Sequence, residues 1–120
     1  MSLDELERRV QDFGPLAFLI TTDGKTPHVV SVAVDFDGAT FSVPAGRSSL
    51  RNIESSAAAT LLWPGRDDGS YSLIVDATAD GDRDDDRALL HPTSAVLHRL
   101  ADAPADLPSC VRIEREADDG

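Results

Sequence analysis

One cysteine and one lysine are all that this chain of 120 residues carries of those types, and each scarcity closes off a class of protein. With Cys110 alone there is no intrachain disulfide and no all-cysteine metal site, and a reducing compartment suits the chain. Lys25 is the sole lysine, so the other basic residues are arginine, and aspartate greatly outnumbers glutamate. High-GC coding and adaptation to salt both produce such a composition. A net charge of -11 repels phosphate backbones over long distances at low salt, which disfavours nucleic acid and anionic membranes as partners. No apolar run approaches the roughly 20 residues of a membrane span. The acidic start Met1-Ser-Leu-Asp-Glu-Leu-Glu7 is opposite in character to a signal peptide, so the expected location is the cytoplasm. Also missing are a Gly-x-Ser-x-Gly elbow, zinc-ligand spacing and a P-loop, which leaves hydrolase and nucleotide triphosphatase readings without support. Asp80, Asp82 and Asp84 imitate the start of a calcium loop, but Asp85 stands where glycine is needed and His91 where a bidentate glutamate is needed. The segment reads as a solvated turn, and no metal site is expected.

What is present is enough for one domain with a single core. Leu3, Leu6 and Val10 recur at helical spacing behind Ser2, with acidic residues early and Arg8 and Arg9 later, so residues 1–14 hold an N-terminal helix that Gly14-Pro15 ends. Residues 15–100 then read as strands. Residues 16–22 and 29–36 form a hairpin around Asp23-Gly24, and residues 40–43 follow the turn Asp37-Gly38. Residues 57–63 make a further strand ended by Pro64-Gly65, and residues 71–79 a long one, with an acidic outer turn over 80–86. Pro92 argues against a helix over 88–100, which is read as two strand segments with a bend. Within 101–120 a loop, a last strand over 111–113 and a frayed tail are expected, and residues 66–69 form a polar turn. Closely spaced strands with short flanking helices predict a mainly β fold: a small antiparallel barrel, which protects its edges by closing. A barrel this small has little internal room, so a large ligand belongs outside it or between subunits.

The segment Arg47-Ser-Ser-Leu-Arg51-Asn-Ile53 concentrates positive charge in an acidic chain. Ser48 or Ser49 can cap a short helix whose first amides lack intrahelical partners, and such an N-terminus attracts anions. Arg47 and Arg51, four apart, share a helical face and can grip one phosphate together. An ordinary capped surface helix with two solvated arginines is the plainer alternative. Cys110, with Arg112 as its one nearby cation in sequence, reads as an inert thiol. His28 and His91 stand beside prolines in turn-like places, and neither they nor His98 form a haem motif.

The order of Thr26-Pro-His-Val-Val-Ser-Val-Ala-Val34, Phe41-Ser-Val, Arg47-Ser-Ser-Leu-Arg51-Asn-Ile53, Ala59-Thr-Leu-Leu-Trp63 and Ser72-Leu-Ile-Val-Asp76 resembles the pyridoxamine 5'-phosphate oxidase-like family of flavin-binding split barrels. The likeness runs from about residue 16 to 99. It implies a homodimer of six-stranded antiparallel split β-barrels, with flavin mononucleotide (FMN), or a deazaflavin, in the groove between subunits. Position by position it implies Val30, Ser31 and Val32 along the cofactor, Ser42 beside it, and Arg47, Ser48, Ser49 and Arg51 on the phosphate. Val96-Leu-His98-Arg99 resembles a substrate-side segment of small family members, which makes His98 and Arg99 substrate-side candidates. The family usually has a lysine near Ser49. Here the only lysine is Lys25, so either Arg47 or Arg51 takes over or the phosphate grip is weaker.

The implied activity is flavin-dependent hydride transfer to or from an unidentified small molecule, with no catalytic acid or base assignable from the sequence. A non-catalytic module of the same fold, holding a flavin, haem or other anionic ligand, is the alternative, and a dimer with an empty groove the third.

Overall fold

A computed structural model describes residues 2–65, 71–101 and 108–113. Helix α1 (Leu3–Phe13) starts where Ser2 Oγ accepts the Glu5 amide at 3.3 Å, and it buries Leu6 and Val10 as their spacing requires. Gly14 ends it at φ 89°, a conformation that a side chain would strain. Strands β1 (Leu16–Thr22), β2 (Pro27–Ala33), β3 (Asp35–Phe36) and β4 (Phe41–Pro44) follow. After helix α2 (Arg47–Ser56) come β5 (Ala58–Trp63), β6 (Tyr71–Asp82), β7 (Arg87–Arg99) and β8 (Cys110–Arg112).

The strands join antiparallel in the order β2-β1-β5-β6-β7-β4-β3, with β8 added beside the far part of β7. The two ends of that path, β2 and β3, are consecutive in the chain, separated by Val34 alone. The sheet therefore curls until its ends meet in one bent run. Counted so, six strands form a split β-barrel with β8 as a short addition, the mainly β architecture expected from the sequence. At the bend Val34 N–H donates to the Pro15 carbonyl at 2.7 Å, keeping a buried amide paired while the strand changes neighbour.

Alternate residues fill the interior: Ala17 and Leu19 from β1, Leu61 and Trp63 from β5, Leu73 and Val75 from β6, Ala88 and Leu90 from β7. Phe36 stacks on Phe41 with centroids 4.2 Å apart, and Phe41 meets Trp63 at 5.7 Å. Trp63 is fully buried and its Nε1–H donates to the Gly14 carbonyl at 2.8 Å, tying the end of α1 to the barrel.

Several boundaries differ from the sequence reading. The expected strand over 29–36 begins at Pro27 and breaks at Val34, because its two halves pair with different neighbours. The acidic stretch enters β6 as far as Asp82, leaving a turn in which Asp82 Oδ1 accepts the amides of Asp84 and Asp85. The expected two segments over 88–100 are one strand, Arg87–Arg99. Asp76 faces Ser94 while Ala77 faces Pro92, so Thr93 is an extra residue, and this bulge accommodates the proline. The turn at 66–69, most of the 101–108 loop and the tail lie outside the described residues. Among the described residues no helix is long and apolar enough to cross a membrane.

Trp63→Phe should lower stability by about 2–3 kcal/mol, because it shrinks a filled site and strands the Gly14 carbonyl. Urea unfolding reads this directly, and an unchanged midpoint would show that the tryptophan does not anchor α1.

Candidate functional site

Pro44, Ala45 and Gly46 carry the chain out of β4 and straight into α2, and Ala45 N–H donates to the Asp86 carbonyl at 2.9 Å. That bond places the β6–β7 turn beside the start of the helix. The helix N-cap is Gly46, with no side-chain hydrogen bond to the first turn. Ser48 and Ser49, expected as caps, lie inside the helix, so the cap expectation is corrected. The first intrahelical bond is Leu50 N–H to the Gly46 carbonyl, so the amides of Arg47, Ser48 and Ser49 have no partner within the helix.

Three features hold α2 in place. Leu50 and Ile53 are buried in the core, and a Cβ on Gly81 of β6 would come within 2.9 Å of a Leu50 methyl carbon. Asn52 Nδ2 donates to Thr21 Oγ1 at 3.1 Å, a buried polar pair joining α2 to β1. On the exposed side Arg83 donates from Nε and Nη2 to the two oxygens of Glu54, both at 2.7 Å. The helix ends at Ala57, left-handed at φ 55°, whose N–H returns to Ile53.

Between the start of α2 and β2 opens a cleft of about 680 Å³. One wall is β2, through Val30, Ser31, Val32 and their neighbours, and the other is the helix start with Arg47 and Ser49. β2 pairs with β1 along one edge, and among the described residues no strand occupies its other edge. Unpaired backbone donors and acceptors of an edge strand are therefore available to a ligand here. Among the described residues Arg47 has no carboxylate partner. An unpaired arginine, uncapped amides and an open strand edge together suit an anion attached to a flat, partly apolar group.

Of the residues singled out from sequence, Val30, Ser31, Val32, Arg47 and Ser49 line this cleft. Ser48 is the next residue of the same first turn but is not on the lining. Arg51 is also absent from it and lies near Asp23, whose carboxyl it helps hold low. Ser42 faces elsewhere, its Oγ accepting Arg87 Nε at 2.9 Å while Arg87 Nη2 reaches Asp35 at 3.3 Å. His98 and Arg99 sit at the opposite end of β7 from the turn that borders the cleft, with His98 facing Ser72 and Cys110. His28, Arg83 and Asp86 line the cleft and were not singled out. The proline beside His28 masked its strand position, and Arg83 and Asp86 belong to an acidic turn brought in only by the folding of β6 onto β7.

No family model matches the chain. Uncharacterised proteins of Mycobacterium bovis and Mycobacterium tuberculosis are each 36% identical to it over 128 aligned positions, spanning 93% of this chain and 88% of theirs. The chain belongs to their family. One solved structure superimposes with a TM-score of 0.59 at 17% identity, covering 91% of this chain and 90% of its own. At that identity the likeness shows the fold.

The carboxyls around α2 are held low by identifiable donors. Arg83 lowers Glu54, chiefly by hydrogen bonding, and the amides of Thr26 and Lys25 lower Asp23. A lowered folded-state pKa stabilises the fold above the ordinary carboxylate range, and that contribution is lost as pH falls through the folded value. Carboxyl-carbon NMR should show Glu54 titrating below the usual glutamate range, and returning to it in Arg83→Gln. An ordinary Glu54 titration in the unsubstituted protein would mean that the pair does not form in solution.

Proposed function

We propose that the chain is a homodimeric flavin-binding split barrel that acts as an oxidoreductase, with FMN or a deazaflavin in the cleft between β2 and α2. The observation that carries this reading is the uncapped start of α2, with Gly46 at the N-cap and Arg47, which has no carboxylate partner among the described residues, beside an open strand edge. A Cβ on Gly46 would meet nothing within 4 Å, and its φ of -79° suits any residue, so neither sterics nor backbone strain requires glycine there. A serine or aspartate would cap the helix better, but its side chain would take the amides that a phosphate needs. Arg47 supplies a charge-assisted donor, Ser49 borders the same space, and the backbone of Val30 to Val32 flanks the ring side. A bound flavin would supply hydride transfer, while the chain anchors, orients and partly desolvates it.

The dimer is supported by the outer face of the sheet. Leu16, Phe18 and Val29 are 65%, 36% and 54% exposed, and register places Phe18 opposite Leu62, Leu62 opposite Ile74 and Ile74 opposite Val96. This is a cross-strand apolar stripe on a chain whose net charge of -11 opposes self-association elsewhere. An uncharged stripe is self-complementary, as a two-fold contact requires. Asp76, at its margin, already accepts hydroxyl hydrogen bonds from Thr60 at 2.7 Å and Ser94 at 3.3 Å. Ser31 and Ala33 point to this outer side of β2 and also line the cleft, so a second copy on the stripe would adjoin the open side of the cleft.

The position of His98 and Arg99 away from the cleft within one subunit favours a second reading, non-catalytic binding of a flavin or another anionic ligand, haem included. Reduction of the bound flavin by a nicotinamide cofactor supports the enzyme, and its absence supports the binding module.

Titration with FMN or a deazaflavin should saturate at one per subunit, at micromolar concentration or below. Arg47→Ala should weaken binding about ten-fold or more, the loss of one charge-assisted contact, whereas Arg51→Ala should change it less than about two-fold. Gly46→Asp should raise stability by a few tenths of a kcal/mol while weakening binding. No saturable binding of either flavin would remove the proposal. In sedimentation, Phe18→Glu should convert the dimer to a folded monomer; a dimer that survives the substitution must use another face.

A further inference from the structure

A phosphate monoester at the start of α2 would carry close to two negative charges, and of the two arginines of that helix Arg47 lines the cleft. Arg51, one turn on, is absent from the lining and lies near Asp23. The second cation on the lining comes from a different element: Arg83, in the turn between β6 and β7. Glu54 engages this guanidinium through Nε and Nη2 at 2.7 Å each, which is one edge of the fork. Among the described residues the remaining edge, carrying Nη1 and the second hydrogen of Nη2, has no partner.

We propose that Arg83 is a second phosphate-binding residue of this cleft, held by Glu54 through one edge while its free edge donates to the anionic group of the ligand. This assignment rests on the flavin reading above and adds to it the residue that selects the phosphorylated form. Three features make the arrangement physically coherent. An arginine anchored by a bidentate carboxylate has already lost much of its rotamer freedom, so less is lost when it binds an anion. Asp86, the carboxylate that also borders the cleft, is outnumbered on the lining by Arg47 and Arg83. The turn that carries Arg83 is tied to the cleft by the Asp86 carbonyl accepting Ala45 N–H, so its placement does not depend on the ion pair alone. Glu54 in this scheme is a positioning residue: it touches Arg83 and not the ligand.

Arg83→Gln is a usable test because the pair is exposed, with side chains 54% and 44% accessible, and exposed pairs contribute little to stability. The thermal midpoint should stay nearly unchanged. Riboflavin, which lacks the phosphate, and FMN are titrated separately into the unsubstituted protein and into Arg83→Gln. The expected result is a loss of about ten-fold in FMN affinity with riboflavin affinity unchanged, and partial recovery of FMN binding in Arg83→Lys. Equal losses for both flavins, or no loss for either, overturn the role of Arg83 while leaving the flavin reading standing. If the unsubstituted protein binds neither FMN nor a deazaflavin, both fall together.

Discussion

The structure turns on a bend in one run of chain. Residues 27 to 36 serve β1 on one side and β4 on the other, and no straight strand can do both. At the bend Val34 keeps its amide paired to the Pro15 carbonyl, so the strand changes partner without burying an unsatisfied donor. Because the barrel closes through this bend and not through a β2–β4 ladder, the second edge of β2 stays open. The cleft lies along that edge, and α2 must begin beside it because β4 ends there.

Once α2 starts at that place, the packing fixes its direction. Leu50 and Ile53 are drawn into the apolar interior, and the absence of a side chain on Gly81 lets Leu50 approach β6. The Asn52–Thr21 pair adds direction to this contact, since a buried amide and hydroxyl each need a partner in one geometry. Glu54 and Arg83 hold the exposed flank. The free amides of the first turn are thus presented by a rigid helix and not by a loop, which is the condition for an oriented ligand.

Electrostatics divide the surface into two regimes. A charge of -11 spread over so small a chain discourages contact with anions generally, and the cleft is a place where two arginines, Arg47 and Arg83, are brought together. The stripe of Phe18, Leu62, Ile74 and Val96 across β1, β5, β6 and β7 carries no charge. Any attraction for an anion would therefore come from placement, because the composition as a whole works against it.

Much of this was legible in the residues. The strand-forming apolar run at 16–22, the turn chemistry of Asp23-Gly24 and Asp37-Gly38, and the capped period of α1 are local signals, and each produced the expected element. That Arg47 and Ser49 stand together in one helical turn was legible because neighbours on a helix are neighbours in sequence, whereas the expected pairing of Arg47 with Arg51 is not what lines the cleft. The cap at Gly46, the bulge at Thr93 and the bend at Val34 were not legible, since each lies against a strand or a cleft wall far away along the chain. The sequence by itself determined the strands, the two helices and the cluster of positive charge, all of which depend on spacing within about ten residues. Only the tertiary structure decided that His28, Arg83 and Asp86 share a cleft with Arg47, and that Ser42 and Arg51 do not. Strand pairing across long separations sets those proximities, and residue order along the chain does not encode them locally.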